Sequence, residues 1–168
     1  VFKHTDEFFP NDLEDLERKL RKNKRHGGTA AVYIESVGPE SGTRPVSREF
    51  IQGTERLAHK YGALLIFDEV VTGFRIGASG AQGYFGVDPD LTIFGKIIAG
   101  GYPGAGGVGG HKDCMAHLGA GLDSSGKKIP KAMCGGTLAA TPISCVAGYY
   151  TLCEIERINA CEVSGRMG

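Results

Sequence analysis

The sequence has no net charge, no long apolar run and no cysteine pattern typical of a metal site. Its 19 lysines and arginines balance 19 aspartates and glutamates, so the composition does not favour nucleic acid, a membrane surface or a polyanionic substrate. No run of about 18 apolar residues occurs, which excludes a membrane-spanning helix. Residues 1–4 contain neither the apolar core nor the cleavage site of a signal peptide.

The cysteines do not follow the spacing of a zinc site, and their number is odd. Cys145 and Cys153 fall in an apolar helical stretch, where a reduced cysteine packs as a small hydrophobic residue. We therefore expect free thiols and a reducing, cytoplasmic environment. The full set is Cys114, Cys134, Cys145, Cys153 and Cys161.

Helical and strand patterns alternate along the 168 residues, which are enough for one domain. Residues 11–24 and 47–61 predict amphipathic helices, and Thr141 with Pro142 is expected to cap a last helix. Apolar strands are predicted at residues 29–34, 63–67 and 91–94. The second of them is apolar throughout, which is typical of a parallel strand covered on both faces. This alternation predicts an α/β fold with a mostly parallel sheet and flanking helices.

Three charged residues stand at the ends of these predicted strands, where a parallel sheet collects its ligands: Glu35, Asp68 and Lys96. Asp68 follows five apolar residues, so its carboxylate needs a partner. It could cap a helix, form a buried salt bridge or pair with a protonated heterocyclic nitrogen. Lys96 either extends to solvent or lies among apolar residues, which would lower the pKa of its amine and make it a nucleophile. An aspartate and a lysine at neighbouring strand ends meet the needs of pyridoxal-phosphate (PLP) chemistry.

A glycine pattern offers a competing interpretation. Residues 104–109 match the G-x-G-x-x-G spacing of a dinucleotide site, which would indicate a nicotinamide-dependent oxidoreductase. The stretch is rich in glycine throughout and no clear apolar strand precedes it, so the match is weak.

Three ordered motifs resemble those of the class III aminotransferases. Residues 67–75, Phe-Asp-Glu-Val-Val-Thr-Gly-Phe-Arg, resemble the family's D-E-V-x-T-G-F/x-R signature. Residues 90–101 resemble its lysine segment, and residues 135–142 resemble its G-G-T-x-x-x-N-P segment. The sequence is most similar to glutamate-1-semialdehyde aminomutase-like members. The resemblance implies the PLP-dependent transferase fold of the aspartate aminotransferase type.

The resemblance also implies roles for four residues. Lys96 would form the Schiff base with PLP and move a proton between the substrate and the cofactor. Asp68 would hold the pyridinium nitrogen, and Val70 would pack on one face of the ring. Thr137 would donate a hydrogen bond to the PLP phosphate of the neighbouring subunit, because the family builds its site across a homodimer.

On the substrate side, the resemblance points to Glu35 and Glu40. Glu35 matches the Glu of the family's V-E-P segment, although Ser36 stands where proline is usual. Glu40 matches a position where many ω-aminotransferases carry a glutamate that pairs with an arginine from elsewhere. Glu40 favours an aminotransferase, whereas Val71 replaces a glutamine common in ω-aminotransferases and fits an aminomutase. Arg75 is expected to form a structural salt bridge rather than to bind a substrate carboxylate.

The match begins at Ala30 and implies a piece of a larger protein. We expect residues 1–168 to be the central part of the PLP-binding large domain, poorly active alone, with a phosphate-binding loop upstream and a small domain downstream. The expected reaction is amino transfer between an amino acid or amine and a keto acid. The alternatives are intramolecular transfer and a catalytically inactive module with the same fold. Residues 123–131 resemble an inserted, solvated loop.

Overall fold

The computed structural model describes residues 4–119, 121–122 and 125–167. The sheet strands are β1 (Ala31–Glu35), β2 (Leu64–Asp68), β3 (Leu91–Phe94) and β4 (Gly107–Gly110). The helices are α1 (Leu13–Lys24), α2 (Pro39–Gly42), α3 (Arg48–Lys60), α4 (Gly80–Phe85), α5 (Lys112–Met115), α6 (Pro142–Arg157) and α7 (Ala160–Met167). Two 3₁₀ turns, Lys96–Ala99 and Ala116–Leu118, complete the described elements.

The sheet has the order β1-β2-β3-β4, and its first three strands are parallel. This confirms the predicted α/β fold with a mostly parallel sheet. The antiparallel strand β4 was not predicted, because its sequence Gly-Val-Gly-Gly carries almost no apolar signal. Glycine is required there for packing, since a Cβ on Gly110 would lie 2.3 Å from the Asp90 carbonyl oxygen.

The hydrophobic core lies on one face of the sheet, where α1 and α3 pack. The residues of this core include Leu16, Leu20, Val32, Ile34, Phe50, Ile51, Leu65 and Phe67. On the opposite face, Tyr33 is 50% exposed and Leu64 is 37% exposed. The prediction that residues 63–67 are covered on both faces is therefore wrong for this chain, because both packing helices lie on the same side.

The observed starts of three helices can be compared with the starts predicted from the sequence. Ser47 caps α3 as predicted, since its Oγ accepts a hydrogen bond from Phe50 N at 3.1 Å. α1 begins two residues later than predicted, after the N-cap Asp12. Thr141 is the N-cap residue of α6 and Pro142 is its first residue, as predicted. The Thr141 hydroxyl makes no capping hydrogen bond to the backbone, however, and donates to Ser144 Oγ at 2.8 Å.

The remaining differences concern short elements and one insertion. The predicted loop around residues 36–45 contains the one-turn helix α2, and α4 was not predicted. Within the proposed insertion, residues 123 and 124 lie outside the described part, while most of residues 125–131 are exposed. None of the described helices combines the length and the apolar character needed to cross a membrane.

Candidate active site

The strand pairing brings the predicted charged residues to one edge of the sheet. Glu35 is the register partner of Asp68, and Asp68 is the partner of Ile93. Lys96 follows Ile93 by three residues and starts the 3₁₀ turn after β3. The carboxyl ends of β1, β2 and β3 therefore present two carboxylates and one amine on adjacent strands.

The Asp68 carboxylate is held by two donors, one on each oxygen. Val70 N donates to Oδ1 at 2.9 Å, and the Tyr33 hydroxyl donates to Oδ2. Partial burial, followed by the hydrogen bond to Asp68, raises the pKa of Tyr33 to about 12. Sequence reasoning missed Tyr33, although two-residue alternation from Glu35 places it on the same sheet face as Asp68.

A chain of hydrogen bonds connects Ser36, Thr72 and Glu69 next to Asp68, and Ser36 and Glu69 are buried. Ser36 N donates to the Asp68 carbonyl oxygen at 3.4 Å, a bond that a proline at this position could not make. The hydroxyls of Ser36 and Thr72 lie 3.1 Å apart, and Thr72 Oγ1 donates to Glu69 Oε2 at 3.3 Å. This chain of hydrogen bonds ties the end of β1 to the segment that follows β2.

Glu69 is the deepest member of that chain, only 1% exposed. Its Oε2 also accepts a hydrogen bond from Ala81 N at 2.9 Å, which fixes the first turn of α4. Its Oε1 has no hydrogen-bond partner among the described residues. Burial raises the pKa of the Glu69 carboxyl, and the hydrogen bonds that it accepts oppose this.

Lys96 adopts a left-handed backbone conformation with a φ of 48°. Such a conformation costs about 1 kcal/mol or more for a residue with a side chain, so the surrounding packing must impose it. Its side chain is exposed and borders a cavity of about 480 Å³ together with Arg75 and Tyr102. Of the two alternatives that the sequence left open, the structure shows the lysine that extends to solvent and not the one that lies among apolar residues.

Val70 and Lys96 are neighbours through Gly95. A Cβ on Gly95 would lie 3.1 Å from Val70 Cγ1, so the two chain segments pack closely. The residue that was predicted to cover a ring face thus lies beside the predicted nucleophile. Arg75, expected in a salt bridge, is exposed and forms no ion pair with the described carboxylates.

Glu35 and Glu40 lie apart from the lysine cavity. Glu35 borders a separate cavity of about 460 Å³, and its Oε1 accepts a hydrogen bond from Glu40 N at 3.2 Å. The Glu40 carboxylate pairs at 3.7 Å with Arg44, four residues further along the chain. The structure therefore does not bring either glutamate into the cavity that Lys96 borders.

Thr137 lies in the segment 131–140, whose side chains are all exposed. This segment docks on the glycine-rich stretch, where Ala140 N donates to the Gly104 carbonyl oxygen at 2.8 Å. A Cβ on Gly104 would lie 2.5 Å from the Leu138 carbonyl oxygen. Thr137 therefore faces outward and does not border the cavity of Lys96.

The glycine pattern at residues 104–109 leads into strand β4 instead of opening a helix after a strand. A dinucleotide site needs the reverse order, because the pyrophosphate binds at a helix N-terminus. The nicotinamide interpretation is therefore wrong. Among the described residues, no cluster of three or more His, Cys, Asp or Glu side chains could hold a metal ion.

Comparisons with known proteins agree with this arrangement. Residues 3–168 match the family Aminotransferase class-III. The chain is 42% identical over 145 residues to glutamate-1-semialdehyde 2,1-aminomutase 1 of Staphylococcus epidermidis, and 43% identical to that of Macrococcus caseolyticus. Each alignment covers 86% of this chain and 31% of the aminomutase, so the chain spans about a third of these curated relatives.

Solved structures show the same similarity in three dimensions. An ω-transaminase from Sphaerobacter thermophilus superposes with a TM-score of 0.72 and 36% identity, over 87% of this chain and 31% of that protein. A transaminase with PLP bound superposes with a TM-score of 0.69 and 33% identity, over 85% of this chain and 32% of that protein.

Proposed function

The chain belongs to the class III aminotransferases, and we propose that it carries the PLP-binding lysine and the ring-nitrogen carboxylate of an amino-group-transferring enzyme. One observation carries this proposal. A carboxylate oriented by two donors ends β2, and Val70 joins it to an exposed lysine that follows the adjacent strand. The solved transaminase with PLP bound supports PLP as the cofactor.

The side chains present fit the chemistry of PLP. Asp68 offers a carboxylate acceptor for a protonated ring nitrogen, and Lys96 offers an exposed amine for an aldehyde. Val70 supplies an apolar surface for a ring face. The sheet face that bears Asp68 is open, since Tyr33 and Leu64 on it are exposed, so a planar ligand has access.

PLP, when bound, serves as the electron sink that makes a substrate C–H bond acidic. In this proposal, the Asp68 carboxylate would accept a hydrogen bond from the protonated ring nitrogen. Val70 fixes the plane of the ring by packing. Lys96 Nζ accepts the proton that the substrate carbon loses and returns it, since its exposed amine can reach a ligand in the adjoining cavity.

The proposed substrates are an amino acid or amine and a keto acid, with Glu35 and Glu40 as substrate-side candidates. Intramolecular transfer is the second candidate reaction, and the identity of 42–43% to two aminomutases favours it. Adding pyruvate or 2-oxoglutarate to the complete protein separates the two reactions. A transaminase requires the added acceptor, whereas an aminomutase turns over without one.

We propose that the complete protein is a homodimer that shares its sites, so that Thr137 reaches the phosphate bound by the partner. The exposed apolar side chains next to Thr137 support this assembly. They are Leu138, Ile143, Val146, Tyr149 and Tyr150. Sedimentation of the complete protein should give a dimer, and the substitution Val146→Asp should shift it toward the monomer. A wild-type monomer would contradict the proposal.

We further propose that residues 1–168 form the central part of the large, PLP-binding domain. The coverage of about a third of each relative supports this assignment. The absence of disulfides among the five cysteines supports a cytoplasmic location.

Borohydride labelling tests the cofactor assignment. The chain is mixed with PLP, reduced with borohydride and digested, and the peptide that carries PLP is identified by mass spectrometry. We expect the label on Lys96, no label in Lys96→Ala, and full labelling in the surface control Lys112→Ala. If neither this chain nor a form extended at both ends is labelled at Lys96, the assignment is wrong. If the extended form is labelled at Lys96 but transfers no amino group, a catalytically inactive module with the same fold is favoured.

A further inference from the structure

We infer that Tyr33 is a positioning residue for the cofactor-binding carboxylate. Its phenol O–H donates to Asp68 Oδ2 and holds that carboxylate in the orientation that suits a protonated ring nitrogen. This inference rests on the proposed function and adds to it a residue outside the three motifs.

The strand register explains how the two side chains meet. Tyr33 pairs with Ile66 in the β1–β2 ladder, and Asp68 lies two residues further along β2. Residues two apart on a strand lie on the same sheet face, so the tyrosine ring crosses diagonally to the carboxylate. A long, rigid side chain suits this diagonal reach, because a tyrosine has only two rotatable side-chain bonds.

The two donors act on different oxygens of Asp68. Val70 N holds Oδ1 and the Tyr33 hydroxyl holds Oδ2, so rotation of the carboxylate would break at least one hydrogen bond. Each carboxylate oxygen has two lone pairs, so Oδ2 can accept a second donor. A ring N–H and the Tyr33 hydroxyl can therefore share this carboxylate without competing.

The phenol of Tyr33 keeps its proton throughout the neutral pH range, because partial burial first and then the nearby carboxylates raise its pKa to about 12. Asp68 and Glu35 are the carboxylates that act on Tyr33, and both oppose loss of its proton. A donor to a carboxylate favours its ionised form, which is the form that stabilises a protonated ring nitrogen. Removing the hydroxyl alone should therefore weaken cofactor binding and leave the packing of the tyrosine ring in place.

The test compares Tyr33→Phe with a matched variant, Tyr61→Phe. Tyr61 also donates its hydroxyl to a carboxylate, Glu17 Oε1 at 3.0 Å, but it packs with the core-side helices. The measurements use the form of the protein that borohydride labels at Lys96. We expect Tyr33→Phe to raise the Kd for PLP about three- to tenfold, the effect of losing one hydrogen bond of ordinary net strength, and Tyr61→Phe to leave it unchanged.

Two further readouts separate positioning from packing. The first uses a protein without PLP whose tyrosines carry ¹³C at Cζ. The substitution Asp68→Asn should lower the titration midpoint of Tyr33. In the Asp68→Asn background, Tyr33→Phe should no longer change the Kd, because the acceptor it acts through has lost its charge.

Each outcome has a distinct meaning. The inference is overturned if Tyr33→Phe leaves the Kd for PLP unchanged. It is also overturned if Tyr33→Phe raises the Kd equally in the wild-type and the Asp68→Asn backgrounds. In both cases, labelling at Lys96 leaves the proposed function in place. If the wild-type protein takes up no PLP, the proposed function fails and the inference fails with it.

Discussion

Gly148 of α6 lies against Ile98 of the turn that carries Lys96, so closely that a Cβ on Gly148 would be 1.9 Å from the Ile98 carbonyl oxygen. Gly100, which follows the same turn, would bring a Cβ within 2.5 Å of the Ala147 carbonyl carbon. Helix α6 therefore supports the lysine turn by direct backbone contact.

The substitution Gly148→Ala should destabilise the chain because the added methyl group has no space against Ile98. We expect a loss of about 1–3 kcal/mol in the free energy of unfolding, the usual effect of overpacking. Urea denaturation measures this loss. The control is Gly165→Ala in α7, where no described atom outside the local helix backbone lies within 4 Å of the added Cβ and the substitution should stabilise by about 0.5–1 kcal/mol. Equal effects of the two variants would contradict the predicted clash.

The polar chain beneath Asp68 should behave as a coupled unit. Ser36→Ala and Thr72→Val each remove a hydroxyl from the Ser36–Thr72 pair, and each should cost about 1 kcal/mol of stability. The double variant should cost less than the sum of the two, because the second substitution removes a partner that is already unpaired. Urea denaturation of all four proteins gives the coupling energy. Strict additivity would show that the two hydroxyls do not interact.

Glu69 should make the stability of the chain fall as the pH rises. Burial raises the pKa of its carboxyl above the ordinary value of 4.5, so the folded state holds the proton more tightly than the unfolded state. The resulting stabilisation is complete below pH 4.5 and is lost as the pH rises through the raised pKa. In Glu69→Gln this loss should be absent. Unfolding free energies of both proteins between pH 4 and pH 8 test this, and parallel curves would contradict it.

His111 should stabilise the fold only when it is protonated. Its hydrogen bond to Asp88 raises the pKa of the imidazole above 6.5, with a further contribution from Asp90. The stabilisation is therefore complete below pH 6.5 and disappears as the pH rises through the folded-state pKa. His111→Gln should lower the melting temperature at pH 5.5 but not at pH 8.5, whereas the exposed control His26→Gln should change neither. An effect of His111→Gln that is equal at both pH values would indicate a packing role.

Local chemistry was enough to predict several elements and most of the proposed site. The Ser47 cap follows from an interaction within three residues. Strand β3 could be predicted from its short apolar run, although its hydrogen bonds are made to the distant strands β2 and β4. Asp68 and Lys96 could be placed at one sheet edge because the carboxyl ends of parallel strands coincide. The glycines of β4 gave no such signal, because their role is to leave space for β3.

The sequence by itself determined the parallel α/β arrangement, the family motifs and the positions of Asp68, Val70 and Lys96 at strand ends. These depend on apolar periodicity and on residues that are close in the chain. Only the tertiary structure decided that Tyr33 orients Asp68 across 35 residues, that Lys96 is exposed, and that Glu35 and Glu40 lie away from the lysine cavity. The reason is that strand register and side-chain reach determine these contacts between distant segments, and neither is a property of any single segment.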